Sequence, residues 1–250
     1  MKPKEFIAVV VSTFVLIILG DGVVANVGLA PRLAGSAYNW NTITLGWAFA
    51  VIAAGVIAGA DNNPAVTFAM AVRGQTPWSK LLPIILAEFI GAFLGAVAVY
   101  LVYRDGLIAA GMPNVWSTGP GSVFGNTFWG GDSSGALGSY SLLTACVAEF
   151  FGTVILMWGV LAVGDSRNAS ISNLGPFIVG GIVLVIGLCL GGPSGYSINP
   201  ARDLGPRLFG LLAGTKGLFD GIYWLLPPVL IPMVAAPVGG YLYDLFFGKK

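Results

Sequence analysis

One tripeptide occurs twice in this chain, as Asn63-Pro64-Ala65 and as Asn199-Pro200-Ala201. Each copy reads as the start of a helix. Proline at the first helical position has no N–H to leave unbonded, and an asparagine before it caps the helix through its side-chain oxygen. The amide NH2 of each asparagine then remains as an oriented hydrogen-bond donor. A helix N-terminus also carries roughly half a positive charge. Two such ends facing one another would repel hydronium and cations while offering donors to a passing water or hydroxyl. Arg202 and Asp203 follow the second copy directly, and Asp61 and Asn62 precede the first. Glu88 and Glu149 stand within otherwise apolar runs, where a carboxylate defaults to a functional reading.

The elements that must hold these residues are membrane helices. Of 250 residues, 56% are hydrophobic and only 9% charged, against about 25% charged in an ordinary soluble domain. So few charges cannot solvate the outside of a chain this long, so the remaining surface faces a lipid bilayer. Runs of about 20 apolar residues span one, and six are present, at roughly 6–28, 42–60, 82–103, 143–164, 174–192 and 222–247. Two apolar stretches are too short to span, from Pro64 to about Val72 and from Pro200 to about Leu212. The expected fold is therefore all-α, with six transmembrane helices and two re-entrant half-helices.

The half-helices divide the chain into a single domain of two repeats, about 5–103 and about 143–247, joined by a long polar loop over 104–142. Three spans per repeat is an odd number, so the second repeat must lie inverted relative to the first. Inverted repeats with interrupted helices in matching places point to a pathway at the bilayer midplane. Six spans return both termini to one side. That side carries Lys2, Lys4, Arg73, Lys80, Arg167, Lys249 and Lys250, against Arg32, Arg104, Arg202, Arg207 and Lys216 on the other. The excess predicts cytoplasmic termini and a multi-pass protein of the plasma (inner) membrane.

Asn63-Pro64-Ala65-Val66-Thr67 and Asn199-Pro200-Ala201-Arg202-Asp203 resemble the two signature loops of the aquaporin superfamily. Ala87-Glu88-Phe89-Ile90-Gly91-Ala92 and Ala148-Glu149-Phe150-Phe151-Gly152-Thr153 resemble its helix patterns. The resemblance covers essentially the whole chain. It implies a right-handed helical bundle with one pore per subunit, a homotetramer, and Glu88 and Glu149 as supports for the re-entrant loops. The glutamate expected at Val9 is absent, so the first loop must be supported from elsewhere.

Within the superfamily, water-selective members resemble one another in a histidine on the fifth span. The matching position, twelve residues before Asn199, is Gly187, and the chain has no histidine. Asp203 after Arg202, Tyr196 three residues before Asn199, and prolines 228 and 232 resemble the aquaglyceroporins, the bacterial glycerol facilitators among them. The resemblance implies a passive channel for glycerol, water and other small neutral solutes that excludes ions and protons, with a filter of Gly187, Tyr196 and Arg202. Carbonyls near Gly191 to Ser194 would add to its polar side. Those facilitators place a tryptophan about twenty residues before the first motif. The count here falls on Ile43, with Trp47 one turn away, and an isoleucine there predicts a wider filter that also passes dihydroxyacetone or undissociated lactic acid. Asp61 is expected at the helix N-terminus or in the vestibule. Trp40, Trp116, Trp129, Trp224, Tyr241 and Tyr243 are expected in the interfacial belt.

Other classes fit less well. Net charge is +1, too little for a nucleic-acid partner. Without histidine no Ser-His-Asp or Cys-His site can be built, and no metal or cofactor site is expected. The alternatives are a water-selective channel and, from another class, an ion-coupled transporter, for which Asp61 and Asp203 are the only coupling carboxylates.

Overall fold

Helices begin where short polar side chains can satisfy their first amides, and in a bilayer no solvent competes for that task. The computed structural model of the chain describes residues 1–29, 39–119 and 140–248, of which 169–171 are described as backbone only. Helix α1 is Pro3–Leu29. Asn39 caps α2 (Trp40–Ala58) in a capping box with Thr42. Asn63 caps the short α3 (Pro64–Val72), and α4 (Trp78–Ala109) follows. In the second half, Ser141 caps α5 (Leu142–Gly164). A 3-10 turn, Ser166–Leu174, leads into α6 (Gly175–Leu190), and Asn199 caps the short α7 (Pro200–Ala213). The chain finishes with a π turn, Leu226–Leu230, continuous with α8 (Ile231–Phe247).

Among the described residues six segments are long and apolar enough to cross a membrane, as the hydropathy predicts, and α3 and α7 are the two half-helices. The largest boundary difference is at the end of α4. Helix α4 continues to Ala109, past the apolar run, with exposed Arg104 and Asp105 on its last turns. Hydropathy registers where lipid ends, whereas the helix stops only near Gly111, which takes the left-handed conformation at φ 77°. The expected polar loop therefore begins about two turns late. Its middle, including Trp129, lies outside the described residues.

The packing follows the two halves. Helix α1 lies against α4 and α2, and α5 lies against α8 and α6. Each half-helix rests on the last span of the opposite half, α3 on α8 and α7 on α4, and the half-helices also touch. Close approach at α1–α4 depends on glycine. A Cβ at Gly95 would lie 2.7 Å from Ile17 Cβ, and one at Gly91 would lie 2.9 Å from Thr13 Cβ and closer still to the Val10 carbonyl. Small residues are the usual means of bringing membrane helices together. Large apolar side chains such as Leu82, Leu101 and Leu143 point outward, 75%, 69% and 73% exposed, which is the surface expected of a protein facing lipid.

Outside the spans, Asp165 accepts from the Arg167 backbone N–H and pairs with its guanidinium. That guanidinium holds the Asp165 carboxyl well below the usual carboxylate range.

Candidate pore and its constriction

The two half-helix starts meet through their caps. Asn63 Oδ1 accepts from Ala65 N at 3.0 Å, and Asn199 Oδ1 accepts from Ala201 N and Arg202 N at 3.0 and 3.2 Å. With both oxygens engaged, each amide turns its nitrogen across the junction. Asn63 Nδ2 donates to the Ile198 carbonyl at 2.9 Å, and Asn199 Nδ2 donates to the Asn62 carbonyl at 2.8 Å. Each asparagine thus ties its own loop to the opposite one. An amide carries two donors, so one N–H per asparagine remains. Both asparagines line a cavity of about 190 Å³ on the side of the bundle that carries the termini.

Buried acceptors hold the loops behind the caps. Glu149 takes the Ser197 and Ile198 backbone N–H groups, each at 2.7 Å. In the first half Glu88 Oε1 accepts from the Thr67 hydroxyl at 2.7 Å. Val9 is apolar and buried. The support that a carboxylate there would give comes instead from Ser12, which donates to the Ala60 carbonyl and accepts from Asn62 Nδ2. Asp61 is exposed and lines the same cavity. Asp203 accepts from Thr118 through both its N–H and its hydroxyl, and from Arg207 Nε at 2.8 Å. The segment Val115–Thr118, expected in an extramembrane loop, is thereby buried against α7.

A second cavity, of about 470 Å³, opens on the far side. Trp47, Tyr196 and Arg202 are the residues that line both cavities, so they form the wall between them. The Arg202 guanidinium carbon lies 3.9 Å from the Trp47 ring centroid, a cation–π contact. Ile43 lines only the far-side cavity. Counting back from Asn63 therefore lands one helical turn, about 5–6 Å, beyond the constriction. Gly59 caps α2, and only residues 60–62 separate it from the next cap.

Gly187 lies behind the Tyr196 ring. A Cβ there would be 2.8 Å from both Tyr196 Cζ and Thr44 Cγ2, so the glycine leaves room for the phenol rather than opening the lumen directly. Trp40 donates from Nε1 to the Gly187 carbonyl at 3.0 Å and packs edge-on against Tyr196. Gly191, Gly192 and Pro193 line the far-side cavity, but the Ser194 carbonyl is taken by the Tyr223 hydroxyl at 2.7 Å. Of the expected belt aromatics, Trp40 belongs to this far mouth. Trp116 is fully buried on Thr215, and Tyr243 is also buried. Tyr241 is 66% exposed.

Over residues 2–243 the sequence matches the family described as Major intrinsic protein. The chain belongs to the major intrinsic protein family. This major intrinsic protein is 40% identical to a probable glycerol uptake facilitator protein of Thermotoga maritima, covering 97% of this chain and 99% of that one. It is 37% identical to glycerol uptake facilitator protein 3 of Lactiplantibacillus plantarum, over 93% of this chain and 92% of the relative. Among solved structures it resembles the aquaglyceroporin from Plasmodium falciparum, with a TM-score of 0.80, 31% identity, and 97% and 96% of the two chains covered. The chain is thus a multi-pass membrane channel of this family, with its all-α fold.

Two residues at the centre of this major intrinsic protein escape a reading by motif. Trp47 lies one turn from the position that the count from Asn63 selects. Asp21, fully buried in α1, lies 3.7 Å from Arg202 Nη1. Its signal was a lone carboxylate in the apolar first span, the same signal that singles out Glu88 and Glu149.

Proposed function

We propose that this chain is a passive channel for glycerol, water and other small neutral solutes, and that it excludes ions and protons. The observation that carries this is the wall shared by the two cavities. Tyr196 and the part of the Trp47 ring left clear by Arg202 supply apolar surface. Trp47 Nε1, Tyr196 Oη and Arg202 Nη1 each lack a hydrogen-bond partner among the described residues. Buried polar groups rarely stay unsatisfied without a reason, and a polyol supplies one. Its C–H edge suits the rings while its hydroxyls meet the donors. Support also comes from relatives named glycerol uptake facilitators. The absence of histidine and the tyrosine ring over Gly187 count against the water-selective alternative.

Under this reading Asn63, Pro64, Ala65, Asn199, Pro200 and Ala201 form the central barrier, and Glu88, Glu149 and Asp203 hold it in place. Asp61 and Asn62 belong to the vestibule. Repeats of about 5–103 and 143–247 are supported by the exchange of half-helices between halves. The termini are cytoplasmic in a plasma membrane. Arg202 and Arg207, counted on the far side, are buried and paired within the bundle, which sharpens the positive excess on the terminal side. The outward apolar surface suits lipid and a homotetramer. Proteoliposomes carrying the protein are expected to take up glycerol and water without an ion gradient. Glycerol flux no greater than in empty vesicles would overturn the reading.

The size limit follows from Trp47. With an indole on the constriction, glycerol is expected to pass faster than bulkier polyols, and the wider filter expected from Ile43 loses its basis. Trp47→Ala is expected to raise the erythritol-to-glycerol flux ratio by about tenfold, as loss of shape discrimination in a pocket allows. Ile43→Ala is expected to change it by less than about twofold. Light-scattering uptake with both solutes separates the two positions, and the reverse ranking would return the filter wall to Ile43.

A further inference from the structure

Two arginines of α7 are held in different ways. Arg207 is bonded on every side: Nε to Asp203, Nη2 to the Thr118 carbonyl at 3.0 Å, and Nη1 to the Leu218 carbonyl. Arg202 has Asp21 as its ionic partner at 3.7 Å, beyond hydrogen-bonding distance. Asp21 is fully buried, and neither of its oxygens accepts a hydrogen bond from a described residue. Gly20, beside it, is packed so tightly under Trp47 that a Cβ would collide with the indole ring. Gly20 and Asp21 together therefore form the floor under the constriction.

We infer that Asp21 is the counter-ion of Arg202 and a positioning residue that sets the charge selectivity of the constriction. The inference deepens the channel reading and rests on it. A buried carboxylate without hydrogen bonds is strongly disfavoured unless a charge compensates it, and Arg202 is that charge. The pair lies too far apart to consume guanidinium N–H groups, so those donors stay free for a passing solute. Asp21 lines neither cavity. It lowers the positive potential of the filter from behind, without presenting a carboxylate on which a cation could settle. A filter that keeps its donors but carries little net charge discriminates against anions as well as cations.

Two measurements test this. Urea and nitrate are both planar and similar in size, and they differ in charge. In proteoliposomes Asp21→Asn is expected to raise the nitrate-to-urea permeability ratio roughly tenfold, the order expected when one charge is removed close by in low dielectric. A purely structural role would lower both fluxes together, and an unchanged ratio overturns the proposal. The second measurement needs no transport. Arg202→Gln leaves Asp21 uncompensated and is expected to lower the thermal midpoint of the detergent-solubilised protein by at least about 5 °C. Adding Asp21→Asn is expected to restore at least half of that loss. A double variant no more stable than Arg202→Gln alone overturns the pairing, and this arm stands even where Asp21→Asn alone folds poorly. Wild-type vesicles that pass no urea or glycerol would remove the channel reading while the stability cycle still decides the pair.

Discussion

Replacing Gly187 by histidine together with Tyr196 by alanine is expected to cut glycerol flux by at least about tenfold while water flux falls by less than about threefold. Position 187 and the ring of residue 196 compete for one space, because a Cβ at 187 already stands 2.8 Å from Tyr196 Cζ. Removing the phenol admits an imidazole. The exchange puts a polar, narrowing side chain where the wild type has an aromatic face. Water, small and with no C–H edge, tolerates this better than glycerol. Gly187→His alone leaves ring and imidazole in conflict and is expected to destabilise the protein by about 1–3 kcal/mol through overpacking. Swelling assays with both solutes and a thermal melt of each variant check the outcome. Equal losses of water and glycerol in the double variant would show that this wall does not choose between them.

Glu149→Ala is expected to abolish most conduction and to lower thermal stability, because the loop it holds is strained. Tyr196 and Ile198 both have positive φ, 42° and 45°. For a β-branched residue that is a genuine outlier, at about 1–3 kcal/mol for each such residue. Glu149 offsets this by accepting from Ser197 N and Ile198 N. Without it two buried N–H groups are orphaned, at about 1–3 kcal/mol each. The loop would relax, and the Ile198 carbonyl would leave Asn63 Nδ2 as Tyr196 left Trp40. Glu149→Gln keeps one acceptor oxygen and is expected to fall between wild type and Glu149→Ala. Glycerol flux and the melting midpoint, read together on both variants, check the order. A Glu149→Ala protein with wild-type selectivity would show that the loop is held by other means.

The features legible in the amino-acid order are those whose physics is local. A bilayer allows only backbones that satisfy their own hydrogen bonds, so apolar runs of sufficient length became α1, α2, α4, α5, α6 and α8. Asn63 and Asn199 cap their helices with atoms of the same few residues. The two short helices could therefore be placed from the tripeptides alone, and their repetition gave the two halves. Glu149 stood out as a charge in an apolar run and Arg202 as the charge beside the second tripeptide, and both are buried in the bundle.

The tertiary structure decided everything that depends on which faces meet. Counting from Asn63 measures distance along the chain, but the constriction is set by the height of α2 in the bundle relative to Arg202, since residues four apart share one face of the helix. A difference of one turn put Trp47, rather than Ile43, on Arg202. The sequence shows Gly187 only as the absence of a histidine, whereas in the fold the Tyr196 ring occupies the space that a Cβ there would need. Asp21 and Arg202 lie in opposite halves, and no local pattern links them. Their pairing exists because α1 touches α7 in the folded bundle, where low dielectric leaves a buried carboxylate dependent on the charge that packing brings beside it.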